Sequence, residues 1–398
     1  MEKADRTSPS ARQSPCTDIA ADLVIVGGGI MGLWAAYFAE KAGINTLLLE
    51  RDLLGQGGSN GLLGALMAYM PDQWDQKKQF QFEALASLEA LAAELEAETG
   101  QKTGYRRSGR IMPLYSERQV KTALLREQAA AENWSLGQRS FRWSVVNESP
   151  ADGWPAGRDD VLAYVVEDFA AHVFPRSMVG VLCHFLKQAR HVRVCEGTSV
   201  AGISEKSNHV NLADGGRIAF GKLIVSAGVE AFTLLQPLFA PSGKPLGRPV
   251  KGQAALLKAE LDPALPVLFD DGLYVIAHEG GQVAVGSTSE DEFETELDTD
   301  EKLEALIAKA RKAVPILADA PVIERWAGLR PRGVHREPMI GQIASYPDII
   351  ALGGGFKTSF GIAHVLAQHA IELACCKEEA TKQLPDIFDI QIYLKRAQ

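Results

Sequence analysis

The spacing of apolar and polar residues changes along this chain, and it is clearest in the first fifty residues. An apolar run at residues 23–26 leads into a glycine-rich turn, an apolar helical stretch and a second apolar run at residues 46–49. Short continuous apolar runs are typical of strands that are buried on both faces of a parallel sheet. The segment therefore predicts a strand, a helix and a second strand.

The middle of the chain predicts helices and antiparallel strands. Residues 79–98 have apolar side chains at helical spacing with glutamates on the other face, and Gly100 is a suitable stop. A second helix is expected at residues 117–132 and a turn-rich stretch at residues 143–157. The other elements predicted in this part are strands at 110–114, 254–258, 273–277 and 282–287, and a helix at 300–313.

Elements typical of a parallel sheet return later in the chain. They are a helix at residues 176–188, strands at 192–194, 199–203, 222–228 and 349–352, a hairpin turn at 214–216, a glycine loop at 353–361 and a last helix that ends near residue 376. Because antiparallel segments interrupt these elements, we predict an α/β fold with two parts. A Rossmann-like nucleotide-binding domain is assembled from discontinuous segments, and an inserted α+β domain has an antiparallel sheet.

The predicted domain boundaries follow these changes of pattern. Residues 1–20 are polar and rich in Ser and Pro, which predicts a disordered tail. A ligand is expected at the carboxyl ends of the strands, facing the inserted domain. The nucleotide-binding domain is predicted to comprise residues 21–72, 159–240 and 326–385, and the second domain residues 73–158 and 241–325.

Composition and charge limit the classes of partner. The chain has 398 residues and a formal net charge of −9, and no block of like charges stands out. This argues against nucleic acid as a partner. The apolar runs are too short to span a bilayer and the start lacks a signal-peptide pattern, so a cytoplasmic location is expected. The histidine and cysteine spacing predicts no metal site.

The glycine-rich turn after the first strand is the strongest functional motif. Gly27, Gly29 and Gly32 fit the spacing G-x-G-x-x-G. The first permits a tight turn, the second lets the backbone approach a pyrophosphate, and the third lets the helix pack close to the strand. Glu50 ends the second strand, where a carboxylate accepts ribose hydroxyls and repels a 2′-phosphate. The residues therefore predict FAD or NAD, not NADP.

Together with this motif, six further blocks occur in an order that resembles the D-amino-acid oxidase superfamily of FAD enzymes. By these motifs the chain is most similar to bacterial glycine oxidase and the monomeric sarcosine oxidase group. The resemblance implies non-covalent FAD, because the cysteine that carries the flavin in sarcosine oxidases corresponds to a position near Gly328, where this chain has no cysteine. The blocks are residues 22–50, 59–66, 222–228, 248–253, 274–276 with 285–288, 326–331 and 353–361.

The resemblance implies a set of contacts to FAD. Small residues on three loops would let the backbone reach the pyrophosphate and the flavin ring, and Val200 would contact the adenine. Lys357 would place positive charge near the pyrimidine end of the ring, where it stabilises the anionic reduced flavin. The expected cofactor contacts are Gly27, Gly29, Ile30, Met31, Gly32, Glu50, Arg51, Gly58, Ser59, Asn60, Leu63, Gly64, Ala65, Val200, Ala227, Gly228, Gly354, Gly355, Phe356, Lys357, Thr358 and Ser359.

The resemblance also implies the oxidation of a small amino acid or N-substituted amino acid. Arg330 would hold the substrate carboxylate by two parallel hydrogen bonds, Lys357 is the second candidate for that carboxylate, and Tyr274 would add a hydroxyl. A hydride would pass from the substrate Cα to flavin N5, and the resulting imine would hydrolyse to an oxo acid. The partners would be the amine substrate and O2 or another electron acceptor.

Structural interpretations of these side chains stay open at this point. Arg330 could be a structural arginine beside a proline, and Lys357 could be a solvated loop lysine. Tyr274 could be a core tyrosine, and Ser59 a turn residue or a helix cap. Arginines and histidines elsewhere have simpler interpretations. We expect a charged face of the inserted domain at Arg106, Arg107 and Arg110. We expect His172 and His335 to lie on the surface or to have their hydrogen bonds satisfied.

Three other functions compete with the oxidase. A dehydrogenase of the same fold would pass electrons to a quinone or a protein partner. A flavin-binding protein without turnover is a second alternative, which the presence of Arg330 and Lys357 disfavours. A nicotinamide dehydrogenase is the third, and the late glycine loop at residues 353–361 argues against it.

Overall fold

The computed structural model describes residues 19–204, 206–240, 243–376 and 384–397. The tail predicted at the start lies outside the described residues up to residue 18, and residues 19 and 20 belong to the first strand. The helices of the described part are α1 (Ile30–Lys41), α2 (Gln76–Thr99), α3 (Glu117–Asn133), α4 (Pro175–Lys187), α5 (Glu230–Phe239), α6 (Glu301–Ala313), α7 (Ser359–Ala374) and α8 (Ile390–Ala397).

Within the described residues, the strands form two large sheets and two short two-stranded sheets. They are β1 (Ile19–Val26), β2 (Thr46–Leu49), β3 (Ala65–Leu66), β4 (Arg110–Leu114), β5 (Ser135–Leu136), β6 (Arg139–Ser140), β7 (Trp143–Val146), β8 (Ala163–Glu167), β9 (Ala171–His172), β10 (Val192–Cys195), β11 (Val200–Ser204), β12 (His209–Leu212), β13 (Arg217–Val225), β14 (Gly247–Lys258), β15 (Val267–Asp270), β16 (Leu273–His278), β17 (Gln282–Gly286), β18 (Val322–Gly333), β19 (Met339–Ile343) and β20 (Tyr346–Gly353).

The first sheet has a parallel core in the order β10, β2, β1, β13 and β20, and the antiparallel strands β11, β12 and β19 extend it. Alternate side chains of each central strand enter different cores. Leu23 and Ile25 pack with α1, α4 and α7, whereas Val24 and Val26 pack with α5 and α8. The apolar runs are continuous because this sheet is covered on both faces. The predicted Rossmann-like part is confirmed.

The second sheet has the order β18, β14, β17, β16, β15, β4, β8 and β7, and all its pairs are antiparallel except β4 with β15. Helix α6 covers one face. The other face packs against residues 62–67, which follow the first β-α-β unit. The predicted antiparallel sheet of the inserted part is therefore confirmed, and one of its faces is turned towards the nucleotide-binding loops.

Strand pairing differs from the predicted ranges in three places. Strand β18 pairs along its length with β14, although residues 326–333 were expected in the nucleotide-binding domain. Strand β8 pairs with β4 in the same second sheet, although residues 163–167 were assigned to the first domain. The stretch predicted as turn-rich contains β7. The end of the range 326–385 includes residues 377–383, which lie outside the described residues.

Capping residues mark the helix ends, although α2 begins three residues before its predicted start at residue 79. Helix α2 begins after Asp75, whose side chain accepts a hydrogen bond from the Lys78 N–H, and ends at Gly100 in the left-handed conformation. Helix α6 begins after Asp300, as predicted. Within the described ranges, no helix combines the length and the apolar character needed to cross a bilayer.

Candidate active site

The turn between β1 and α1 depends on two glycines that have no room for a side chain. Gly27 has a φ of 105°, and a Cβ there would lie 2.6 Å from the Cα of Ala227. A Cβ on Gly32 would overlap the carbonyl oxygen of Gly27. Glycine at these two positions therefore lets the chain turn sharply and lets α1 begin directly against β1.

Gly29, between these two glycines, has a different environment. A Cβ on Gly29 would lie 3.2 Å from Ser59 Oγ, and apart from its chain neighbours no other described residue comes within 4 Å. The N–H of Ile30 donates a hydrogen bond to the same Ser59 Oγ at 2.9 Å. The position that a side chain of Gly29 would take is thus nearly open, next to the first N–H groups of α1 and the positive end of its dipole. These features suit a pyrophosphate.

Glu50 closes the turn from the end of β2. Its carboxylate accepts hydrogen bonds from the N–H groups of Gly28 at 2.7 Å and Asp52 at 2.9 Å. Each carboxylate oxygen has a second lone pair, so Glu50 retains the capacity to accept ribose hydroxyls. The other contacts predicted for the adenosine half, on the loops after β2 and β13 and at the start of β11, are Arg51, Ala227, Gly228 and Val200.

Three segments that are distant in the chain meet beside α1. A Cβ on Gly58 would lie 2.5 Å from the carbonyl oxygen of Leu329 on β18. Gly355 forms an isolated antiparallel bridge with Arg332, also on β18. A Cβ on Gly355 would overlap the Met31 side chain of α1. The fold therefore brings together the early glycine loop, the W-x-G-x-R-P strand and the late glycine loop.

The remaining predicted flavin contacts lie on the same two loops. Gly64 has a φ of 71°, and its missing side chain leaves room for the carbonyl oxygen of Val173. Phe356 has a φ of 48°, which is rare for a bulky residue and places the late loop in a tight turn. The residues on these loops are Asn60, Leu63, Gly64 and Ala65 in the early segment and Gly354, Phe356, Lys357, Thr358 and Ser359 in the late one.

Arg330 lies on β18, on the same side of the strand as Trp326, whose side chain packs with the flavin-loop residues 62–67. Its guanidinium lies over Gly252 of the neighbouring strand β14, in the space that a Cβ on Gly252 would occupy. Its one hydrogen bond among the described residues is from Nη1 to the Thr288 carbonyl oxygen at 3.0 Å. Burial lowers the pKa of Arg330 to about 10, so it stays charged at neutral pH.

Tyr274 and Lys357 lie within electrostatic range of Arg330. Burial raises the pKa of Tyr274, so its hydroxyl stays protonated at neutral pH and remains a hydrogen-bond donor. Partial loss of solvent and the nearby cations Arg330 and Arg336 lower the pKa of Lys357, whose side chain still reaches the surface. The structure therefore brings the three predicted substrate-binding side chains to one region, beside the two loops that are predicted to contact the flavin.

The prediction of a charged arginine face on the inserted domain is correct only for Arg106, which pairs with Glu279 in an exposed ion pair. Arg107 is mostly buried and its Nε lies 3.0 Å from Glu89. Arg110 is 2 % exposed and its Nε lies 3.0 Å from Glu167. The prediction was wrong for these two residues because neighbouring elements cover them. The local sequence does not show which distant elements pack over a side chain.

Two histidines form a buried pair next to the early segment that carries Leu63. The rings of His172 and His278 are 5.4 Å apart, His172 Nδ1 lies 3.2 Å from Ser108 Oγ, and His278 Nε2 lies 3.2 Å from the Leu63 carbonyl oxygen. The interpretation of His172 as a satisfied histidine is confirmed. His335 lies on the surface, with Nε2 at 2.9 Å from the Arg396 carbonyl oxygen.

We expect this pair to make the protein less stable in acid. Burial lowers the pKa of His172 to about 3 and of His278 to about 4, below the ordinary 6.5, so the unfolded chain binds protons first. Stability from the neutral pair is present above pH 6.5 and is lost as the pH falls towards 4 and 3, by about 1.4 kcal/mol per pH unit for each histidine. Urea unfolding at pH 7.5, 6 and 5 measures the loss. If a His172→Gln, His278→Gln double variant has the wild-type slope, the pair is not responsible.

Sequence reasoning missed the residues that make room for Arg330. Gly252 clears space for its guanidinium, and a Cβ on Gly328 would overlap the ring of Trp326. These two glycines face each other across β14 and β18. Both stand inside the motif blocks, and a glycine in the interior of a strand is a known sign of close approach by another group. The glycines in these strands therefore indicate a close approach in the sequence itself, but they do not identify the side chain that lies over them.

A cavity of about 550 Å³ lies between residues 287–292 and α6. It is open, and four of its ten lining residues are acidic, namely Asp271, Glu290, Asp291 and Glu292. None of Arg330, Tyr274 and Lys357 lines it. Lys302 and Leu306 of α6 line one side of it, and Thr288, whose carbonyl oxygen accepts the hydrogen bond from Arg330, lies in the lining on the other.

Comparisons with known proteins extend over almost the whole chain. A family model described as FAD dependent oxidoreductase, DAO, matches residues 22–369. Glycine oxidase of Pseudomonas aeruginosa is 26 % identical over 371 residues, which cover 91 % of this chain and 97 % of that protein. The crystal structure of glycine oxidase from Geobacillus kaustophilus has a TM-score of 0.80 at 19 % identity, covering 92 % of this chain and 97 % of that one. L-amino acid deaminase from Proteus vulgaris has a TM-score of 0.81 at 15 % identity, covering 96 % and 99 %.

Proposed function

Since the chain belongs to the DAO family of FAD dependent oxidoreductases, we propose that it oxidises the C–N bond of a small amino acid or N-substituted amino acid. The enzyme class and the cofactor FAD follow from the family and its glycine oxidase members. The observation that carries the finer proposal is the position of Arg330. It is a partly buried cation beside the two predicted flavin loops, and within the described part of the chain only its Nη1 has a hydrogen-bond acceptor.

The residues present fit the cofactor. The position that a side chain of Gly29 would take is nearly open beside the α1 N-terminus, and glycines at the loop crossings let the two loops, α1 and β18 pack closely around this region. FAD, when bound, supplies the hydride-accepting chemistry. Non-covalent attachment stays a prediction, as do the individual contacts.

The side chains of this chain would then bind and orient the substrate. Arg330 would hold the substrate carboxylate by parallel hydrogen bonds, which fixes the direction of the Cα–H bond. Tyr274, protonated at neutral pH, would donate a hydrogen bond to the substrate. Lys357 lies near enough to Arg330 for their charges to interact, and it would add positive potential at the same end of the site. We include no catalytic base because the proposed step requires a neutral amine and a fixed geometry.

The proposal leaves the electron acceptor open between O2 and a quinone or protein partner. The dehydrogenase and the flavin-binding protein without turnover remain the alternatives, and a cytoplasmic location remains a prediction. A panel of substrates distinguishes the catalytic functions from mere binding. Assays under air and under argon with a dye acceptor then distinguish oxidase from dehydrogenase.

The test is an anaerobic screen of the purified yellow protein. Glycine, sarcosine, proline and D- and L-amino acids are each added while the flavin absorbance near 450 nm is followed. We expect bleaching by a subset of substrates that carry a carboxylate and a secondary or primary amine. Equal bleaching by the matching amines without a carboxylate would contradict the role of Arg330. Bleaching by dithionite but by no amine would favour the flavin-binding protein.

A further inference from the structure

The ion pair between Arg110 and Glu167 has no role in the contacts proposed so far. The two residues face each other across β4 and β8, and each is 2 % exposed. One oxygen of Glu167 accepts hydrogen bonds from the N–H groups of Phe169 at 2.7 Å and Ala170 at 2.9 Å. The carboxylate is therefore held by the backbone independently of the arginine.

The guanidinium of Arg110 is incompletely satisfied. Its Nε lies 3.0 Å from Glu167 Oε1, but neither Nε nor Nη2 has a hydrogen-bond acceptor among the described residues. Its Nη1 lies 3.7 Å from the Met67 sulfur, a weak acceptor. Nε and Nη2 form the edge of a guanidinium that binds a carboxylate by two parallel hydrogen bonds. A buried edge of this kind without an acceptor is unusual in a native structure.

Arg110 faces the same side of the second sheet as the predicted substrate residues. Met67, which it contacts, packs in one apolar cluster with Tyr274 and Trp326. The strand order places β16, which carries Tyr274, between β18, which carries Arg330, and β4, which carries Arg110. Both arginines lie within electrostatic range of Tyr274. The tyrosine therefore has a cation on each side along the sheet, of which Arg110 is buried and Arg330 partly buried.

We propose that Arg110 binds a second acid group of the substrate through its Nε and Nη2 edge. The proposal rests on the proposed function, in which Arg330 holds the α-carboxylate. The substrate would then be an amino acid with two carboxylates, the second on its side chain or on a substituent of its nitrogen. Burial raises the pKa of Glu167, and the N–H groups of Phe169 and Ala170 hold its other oxygen without help from the arginine.

The test compares ligands that differ only in the second carboxylate. Succinate and butyrate are titrated into the FAD-loaded protein, and perturbation of the flavin spectrum reports binding without turnover. Flavin reduction is then measured with aspartate against asparagine, as both enantiomers, and with N-carboxymethylglycine against N-methylglycine. The first pair places the second carboxylate on the side chain and the second pair places it on the nitrogen.

The variant is Arg110→Met with Glu167→Gln, which removes both charges and leaves neither buried alone. The matched control is Arg107→Met with Glu89→Gln, a neighbouring ion pair outside the proposed site. We expect the wild type and the control to bind succinate about 10- to 100-fold more tightly than butyrate. We expect the same preference for one of the two diacid substrates. The Arg110 variant should lose both preferences while it retains FAD.

The proposal is overturned if the wild type does not distinguish succinate from butyrate, or if the Arg110 variant keeps the distinction. Failure of the proposed function gives a different result, in which no amino acid reduces the flavin. The spectral titration still decides the role of Arg110 in that case.

Discussion

Replacement of Arg330 by alanine should lower kcat/KM for any carboxylate-bearing substrate by about 10³-fold while FAD remains bound. The guanidinium is partly buried and charged, and it makes one hydrogen bond within the described part of the chain, to the Thr288 carbonyl oxygen. Loss of a buried partner of a carboxylate removes about 2–5 kcal/mol of binding, and loss of orientation lowers the rate further. Anaerobic stopped-flow reduction gives the kcat and KM contributions, and absorbance gives the FAD content.

Two variants make this result interpretable. Arg330→Lys keeps the charge but not the fork of two hydrogen bonds, so it should recover only part of the activity. Arg325→Ala removes an exposed arginine of the same strand, which pairs with Glu304 at 2.7 Å, and should have little effect. If Arg330→Ala loses FAD and thermal stability in proportion to its activity, the residue is structural and the substrate role is wrong.

The second large effect is expected for Gly29→Val, which should lower the affinity for FAD by more than about 100-fold without unfolding the protein. An added Cβ would meet only Ser59 Oγ at 3.2 Å among the described residues that are not its chain neighbours. The branches of valine would instead extend into the open space in front of α1, where the pyrophosphate is expected. FAD content after gel filtration and a thermal melt of the apoprotein measure the two properties separately.

Two other glycines provide the comparison. Gly180 lies in α4, and outside the adjoining backbone of its own helix no described atom lies within 4 Å of the position that a Cβ would take, so Gly180→Val should keep both FAD and fold. Gly32→Ala should fail to fold, because its Cβ overlaps the Gly27 carbonyl oxygen. A fully yellow Gly29→Val protein would contradict the assignment of the glycine turn to the cofactor.

Local features of the chain were sufficient to predict most elements. The continuous apolar runs of β1 and β2 are buried on both faces, and Gly100 ends α2 because glycine accepts the left-handed conformation. The glycine spacing likewise determined the turn at Gly27, because no side chain fits there. These properties depend on neighbours within a few residues, so a single chain contains the information.

Pairing between distant strands depends on packing and hydrogen bonds between residues far apart in the chain, which a local sequence pattern does not show. Strand β18 carries Arg330 and was expected in the nucleotide-binding domain, but it pairs with β14 in the second sheet, where Gly252 makes room for the guanidinium. Arg110 and Glu167 are 57 positions apart and became a buried pair only through the register of β4 and β8. Amino-acid order was therefore enough for the nucleotide fingerprint, whereas long-range packing determined which charged side chains surround the predicted substrate.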